Sequence, residues 1–240
     1  SGKGGVGKTT VAVNLAYGLE MKGQAVGLHD ADITGPNVCK MVGLSEPFRG
    51  EGAKIFPHDR GGVKVISIAS MISPGEPVIW RGPLRAKALE QFLSGVEWGK
   101  LDFLIADLPP GTGDEVLTMT QRTSPQVAVI VTSPQELSLI DSHRAVNMAK
   151  KMEIGHIGIV ENMSGFICQN CGEEIPLFGS GGGERQAREL GVEFLGRIPI
   201  DLAVPRCGDA GQPIVLNPEG GPVSEAFVTL TTKVCALLDQ

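Results

Sequence analysis

Near the start of the chain, Gly2, Lys3, Gly4, Gly5, Val6, Gly7, Lys8 and Thr9 set out the pattern G-x-x-x-x-G-K-T. Glycines let consecutive backbone N–H groups turn onto one anion, a lysine brings a point positive charge to phosphate oxygens, and a hydroxyl can ligate magnesium. In this order the residue types are chemistry for a nucleoside triphosphate, with Lys8 at the β/γ oxygens, Thr9 on Mg2+ and Thr10 completing the ATP-binding set. A glycine turn that merely precedes a helix would leave the Lys-Thr pair unexplained.

Three carboxylates fall where such a site needs them. Asp30 and Asp32 follow an apolar run that ends at Leu28, and Asp107 closes the run Leu104-Ile105-Ala106. Ligands of open α/β sheets collect at the carboxyl ends of strands, and a carboxylate there can hold magnesium directly or through water. Asp107 continues into Leu108-Pro109-Pro110-Gly111-Thr112-Gly113-Asp114, a loop whose prolines and glycines allow two fixed arrangements. A polar cap on a strand end is the plainer reading of Asp30 and Asp32. Another apolar run ends at Glu161-Asn162, where Asn162 reads either as a ligand contact or as a loop cap, and Arg197 to Asp201 leaves the next strand end.

Soon after comes Cys168-Gln169-Asn170-Cys171. Two thiolates at that spacing can grip one metal, and thiolate-only sites suit zinc and iron–sulfur centres alike. One such pair is half of a four-thiolate site, which a second copy of the chain would complete. A structural zinc clip and a redox pair are the alternatives. Cys39, Cys207 and Cys235 stand singly and read as packing residues, and the four histidines show no ligand spacing.

These groups need a scaffold. Residues 9–22 carry a helical apolar stripe stopped by Gly23, which would aim the helix N-terminus at an anion. Short apolar runs at 25–28, 63–68, 103–106, 127–131, 157–160 and 194–198 predict buried strands. Helical patterns at 84–93, 137–152, 184–190 and 223–238 alternate with them. The expected fold is α/β: a doubly wound, mostly parallel sheet with helices on both faces, as one domain over residues 1–240. A strand must also feed the loop at Gly2, so further residues are expected upstream of Ser1. Glycine clusters at 111–113 and 179–183 mark loops with jobs.

The 21 basic residues fall short of the 27 acidic ones, a formal charge of −6 with no basic run to track a nucleic-acid backbone. No stretch is apolar enough to span a membrane, no leader opens the chain, and five scattered cysteines do not form a secreted disulfide framework. The expectation is a cytoplasmic protein with neither nucleic acid nor membrane as partner.

The run Lys3-Gly4-Gly5-Val6-Gly7-Lys8-Thr9-Thr10 resembles the deviant Walker A loop of the MinD/ParA group of P-loop ATPases. That resemblance implies a homodimer in which Lys3 reaches the partner's nucleotide and neutralises transition-state charge, Asp32 orients the attacking water, Asp30 supports the magnesium shell and Asn162 hydrogen-bonds the adenine. With Asp30 to Asn37, Trp80-Arg81-Gly82-Pro83, Asp107 to Asp114 and Asn162 to Gly172 added, the chain resembles the Mrp/ApbC-type iron–sulfur cluster carriers of that group. What this implies is slow ATP hydrolysis and a [4Fe-4S] cluster, or zinc in its place, between two copies of Cys168 and Cys171, for transfer to apo iron–sulfur proteins. A positioning or partition ATPase with a structural zinc at the cysteines is the competing reading. It calls for a basic patch or basic amphipathic tail, whereas residues 227–238 carry only Lys233 as a basic residue.

Overall fold

Alternation of apolar side chains along two neighbouring strands shows how the layers form. In the computed structural model, which describes residues 4–32, 35–52, 54–67, 92, 94–168 and 170–239, strand β7 (Val127–Thr132) pairs in parallel with β8 (His156–Ile167). Val131 and Val160 enter one hydrophobic core, while Ile130, Ile157 and Ile159 enter another. Successive strand residues face opposite ways, so a strand that is apolar throughout must be covered on both faces.

The first face is covered by α1 (Lys8–Glu20) and α7 (Gly221–Leu238), the second by α4 (Glu136–Lys151) and α5 (Gly182–Leu190). Helix α1 buries every residue from Val11 to Leu19, being sandwiched between sheet and α7. Its closest crossing is at Gly18, where a Cβ would lie 2.3 Å from Thr231 Oγ1. A Schellman-type turn ends it, with Gly23 N–H on Glu20 O and Gln24 N–H on Leu19 O.

The strands fall into two hydrogen-bonded groups. Strands β4 (His58–Arg60), β5 (Val63–Ser67), β1 (Val26–Asp30) and β6 (Phe103–Asp107) lie in the order β4-β5-β1-β6, parallel except for β4 at the edge. Strand β10 (Glu193–Ile200), β8 and β7 form the other parallel group, with β9 (Glu174–Ile175) antiparallel on the far end of β8. Between β6 and β7 runs an apolar channel of about 370 Å³, floored by Val11 and Leu15 of α1 and by Ala145 and Ala149 of α4. Leu104, in mid-strand, is 44% exposed along it. The strand expected to lead into the phosphate loop has no counterpart among the described residues.

Sequence and structure agree closely on the central elements. Strands begin or end within one or two residues of the apolar runs, except β8, which continues to Ile167. The short strands β2 (Arg49–Glu51), β3 (Lys54–Phe56), β4 and β9, together with helices α2 (Val38–Met41), α3 (Asp114–Thr123) and α6 (Ala203–Asp209), are additions. The helix expected at 84–93 and the Trp80 to Pro83 motif lie outside the described residues, save for buried Phe92.

Candidate functional site

The carboxyl ends of β1 and β6, Asn162 in the middle of β8 and the N-terminus of α1 meet at one place. Gly5 and Gly7 take left-handed φ of 80° and 86°, conformations that only glycine adopts without strain, and α1 begins immediately after Gly7. No side chain caps that helix and no acidic residue sits in its first turn. Its leading N–H groups and the positive end of its dipole therefore face the loop, which is the electrostatics of an anion site. Lys3 and Gly2 lie outside the described residues; Gly4 to Thr10 are within them.

Asp107 stands across from the start of α1. It accepts a hydrogen bond from the Thr9 side chain and feels the charges of Lys8 and Asp32, so the four groups expected around magnesium and phosphate do converge. Burial is the largest influence on Asp107 and lifts its carboxyl to about 6, with the Thr9 bond and Lys8 pulling the other way. Asp30 sits opposite Asp107 in register, and burial above all raises it to about 7, against the pull of its Ser67 bond.

Asp30 does a more structural job than the sequence suggests. Its oxygens accept from Ser67 Oγ at 2.8 Å, Asp32 N at 3.2 Å and Val38 N at 3.3 Å, which pins both ends of the loop between β1 and α2. That loop presents Asp32, half-buried, whose Oδ1 accepts the Gly35 N–H at 3.1 Å. Ile33 and Thr34 lie outside the described residues.

Asn162, from the middle of β8, donates from Nδ2 to Val6 O at 2.9 Å. A Cβ on Gly7 would lie 2.3 Å from that nitrogen, so the glycine is needed for close approach as well as for its φ. The side chain expected on the adenine is thus a tether between β8 and the phosphate loop, a role invisible to sequence because its partner is a backbone carbonyl 156 positions away. Arg197, on the neighbouring strand, is paired with Glu184 at 2.8 Å, and Asp201 Oδ1 receives the Ala203 N–H at the start of α6.

The cysteine pair occupies the turn between β8 and β9. Gly172 N–H bonds Cys168 O at 2.8 Å and Cys168 N–H bonds Glu173 O at 2.9 Å, closing the hairpin. Backbone N–H groups of Cys171 and Asn170 point at Cys168 and, with the Cys171 side chain, hold its thiol below the usual range. Cys171 is exposed. A turn that stabilises thiolate and leaves sulfur accessible is built for a soft metal. Among the described residues no group of three or more His, Cys, Asp or Glu could hold a metal, so within them the cysteine turn stands as a two-sulfur site. Cys207 and Cys235 pack against the main core, as expected.

The raised carboxyls give a pH signature. At about pH 6 Asp30 is mostly protonated and Asp107 about half so, and a magnesium ion placed beside them would displace those protons. Magnesium–nucleotide binding should release about one proton at pH 6 and almost none above about pH 8.5, with affinity rising through that window. Calorimetry in two buffers of different ionisation enthalpy measures this, and equal proton release at both pH values would contradict it.

Comparison with known proteins agrees with this geometry. A family model described as "ParA: NUBPL iron-transfer P-loop NTPase" matches residues 1–235. An iron-sulfur cluster carrier protein of Pyrococcus horikoshii is 50% identical, the match covering 100% of this chain and 85% of that protein. The iron-sulfur cluster transfer protein NUBPL of Dictyostelium discoideum is 41% identical over 100% of this chain and 75% of its own length. Among solved structures, a nucleotide-binding protein of Archaeoglobus fulgidus in complex with ADP superposes with a TM-score of 0.79 at 39% identity, covering 92% of this chain and 88% of that one. The cell division ATPase MinD of Pyrococcus furiosus superposes with a TM-score of 0.72 at 26% identity, covering 99% and 96%. With a phosphate-type loop tethered to β8 at Asn162, a thiolate turn just past the strand's end at Ile167, and these relatives, the chain belongs to the ParA family of NUBPL-type iron-transfer P-loop NTPases.

Proposed function

We propose that this protein is an iron–sulfur cluster carrier that binds Mg-ATP, hydrolyses it slowly, and holds a [4Fe-4S] cluster between two copies of itself for delivery to apo iron–sulfur proteins. The observation that carries the reading is the two-sulfur turn, which is shaped for thiolate yet incomplete within one chain. Two turns brought together by a two-fold axis supply four sulfurs, the donor set of such a cluster. A resident zinc would use the same donors.

Where Asn162 of β8 meets the phosphate loop, Lys8 and the α1 N-terminus neutralise the phosphates, while Thr9 and Asp107, with Asp30 and Asp32 nearby, hold magnesium directly or through water. Asp32, on its Asp30-pinned loop, orients the attacking water, and Lys3 acts on the partner's nucleotide. Asn162 commits one N–H to Val6, and the reading gives the rest of its amide to the adenine edge. The reading takes neither membrane nor nucleic acid as a partner; α7 buries Val223, Phe227, Leu230, Val234 and Leu237 in the core, and no helix among the described residues is long and apolar enough to cross a membrane. We place the protein in the cytoplasm.

Anaerobic reconstitution with ferrous iron and sulfide tests the proposal. The expected product is a dimer with about four iron and four sulfide, able to activate an apo-ferredoxin. Protein purified without oxygen that retains zinc and takes up no sulfide would sink it.

A further inference from the structure

The glycine cluster at 179–183 and the buried Glu161 are left unused by the chemistry above. Glu161 is wholly buried in the middle of β8, next to Asn162. Its Oε1 accepts the Ser164 hydroxyl at 2.5 Å and the Gly181 N–H at 2.8 Å, and its Oε2 accepts the Gly183 N–H at 2.5 Å. Gly181 is the N-cap of α5, so the carboxylate sits on that helix's positive end. The approach depends on the glycines: a Cβ on Gly183 would lie 3.0 Å from Glu161 Cβ, and one on Gly182 2.7 Å from Leu139 Cδ1.

Between Asn162 and the cysteine turn, β8 is bent. Asn162 pairs with Ile198 and Phe166 with Ile200, so three residues of β8 face one of β10. Met163 takes φ 57° and Gly165 φ 77°; the left-handed Met163 is a strained conformation that persists only where its surroundings enforce it. Ser164, at the middle of this bulge, is the residue bonded to Glu161. One carboxylate therefore fastens the bulge and the start of α5 to the part of β8 that holds the phosphate loop through Asn162 and Val6.

We propose that Glu161 is the positioning residue that transmits nucleotide state from the phosphate loop to the Cys168–Cys171 turn, by locking the β8 bulge to the N-terminus of α5. This rests on reading the loop tethered at Asn162 and the turn after Ile167 as nucleotide and cargo sites, but not on which metal is carried. A displacement of the loop passes to Asn162, and a rigid bulge passes it on along six residues of chain to Cys168; a loosened bulge absorbs it.

Glu161→Gln isolates the effect. All three groups donate, so a carboxamide turns its NH2 against a backbone N–H whichever way it is oriented, leaving at least one hydrogen bond broken at nearly constant volume. The readout is the alkylation rate of Cys168 and Cys171 by iodoacetamide in metal-free protein, with and without Mg-ATP at a concentration saturating for each variant. In the unmodified protein nucleotide should change that rate about fivefold or more, and in E161Q by less than about twofold. A purely structural role would lower the melting temperature and leave the ratio alone. An E161Q ratio equal to that of the unmodified protein, or an unmodified protein whose thiols ignore nucleotide, overturns the proposal. Should E161Q not fold, Ser164→Ala carries the test: a nucleotide ratio at least halved supports the lock, and an unchanged ratio refutes it. Failure of cluster reconstitution would not affect this measurement, so the two proposals stand or fall separately.

Discussion

Serine at both Cys168 and Cys171 should reduce reconstituted iron and sulfide at least about tenfold while Mg-ATP still binds, because a hydroxyl is a poor, hard replacement for thiolate and neither cysteine belongs to the phosphate loop, which meets β8 at Asn162. The single variants should differ in degree. Cys168 is the sulfur toward which backbone N–H groups point, whereas Cys171 is the exposed one. Cys168→Ser therefore removes the better-stabilised thiolate and should be the more damaging, with Cys171→Ser retaining some weakly held metal. Iron and sulfide analysis beside nucleotide calorimetry on the same samples decides the matter. Cluster retained by the double variant would move the cargo site elsewhere, and loss of nucleotide binding along with the cluster would show that the variant is misfolded.

Why this site was largely legible in the sequence follows from its chemistry. Gly5 and Gly7 are required by φ, Lys8 and Thr9 by charge and ligation, Asp107 by its place at a strand end, and Cys168 and Cys171 by softness. Each of these demands restricts residue type, so each leaves a mark. The central strands were legible for a related reason: burial on both faces produces unbroken apolar runs such as Val127 to Val131.

What stayed hidden was made from backbone. Strand β8 looked finished at Val160 because Glu161, Asn162 and the bulge at Met163 and Gly165 break its apolar run; it continues because β10 and β9 supply hydrogen-bond partners to either side of the break. Glu161 resembles any polar strand terminus until its donors are known, and two of the three are glycine N–H groups 20 and 22 positions on. Asp30 was expected beside magnesium; what the structure shows is that it bolts down the Asp32 loop, again through N–H groups. Short edge strands such as β2, exposed at all three residues, carry no burial pattern to read.

Lys3→Ala should cut ATP turnover by about a thousandfold or more while leaving nucleotide binding nearly intact, since a cation that acts only on transition-state charge contributes little to ground-state affinity. Lys8→Ala differs in kind, because Lys8 lies near Asp107 of its own chain and the proposed site sets it on that chain's phosphates, so its loss should weaken binding itself. The stronger test is whether Lys3 works in trans. Asp32→Ala is expected to abolish turnover in its own site, so Lys3→Ala and Asp32→Ala proteins should each be inactive alone. If Lys3 reaches across the dimer, a mixed dimer has one complete site: the Lys3→Ala chain keeps its Asp32 and receives Lys3 from its partner. Random mixing in equal amounts makes about half the dimers mixed, each with one active site of two, so about a quarter of the original activity should return. A lysine acting within its own chain predicts no recovery at any ratio, because every site then lacks either Lys3 or Asp32.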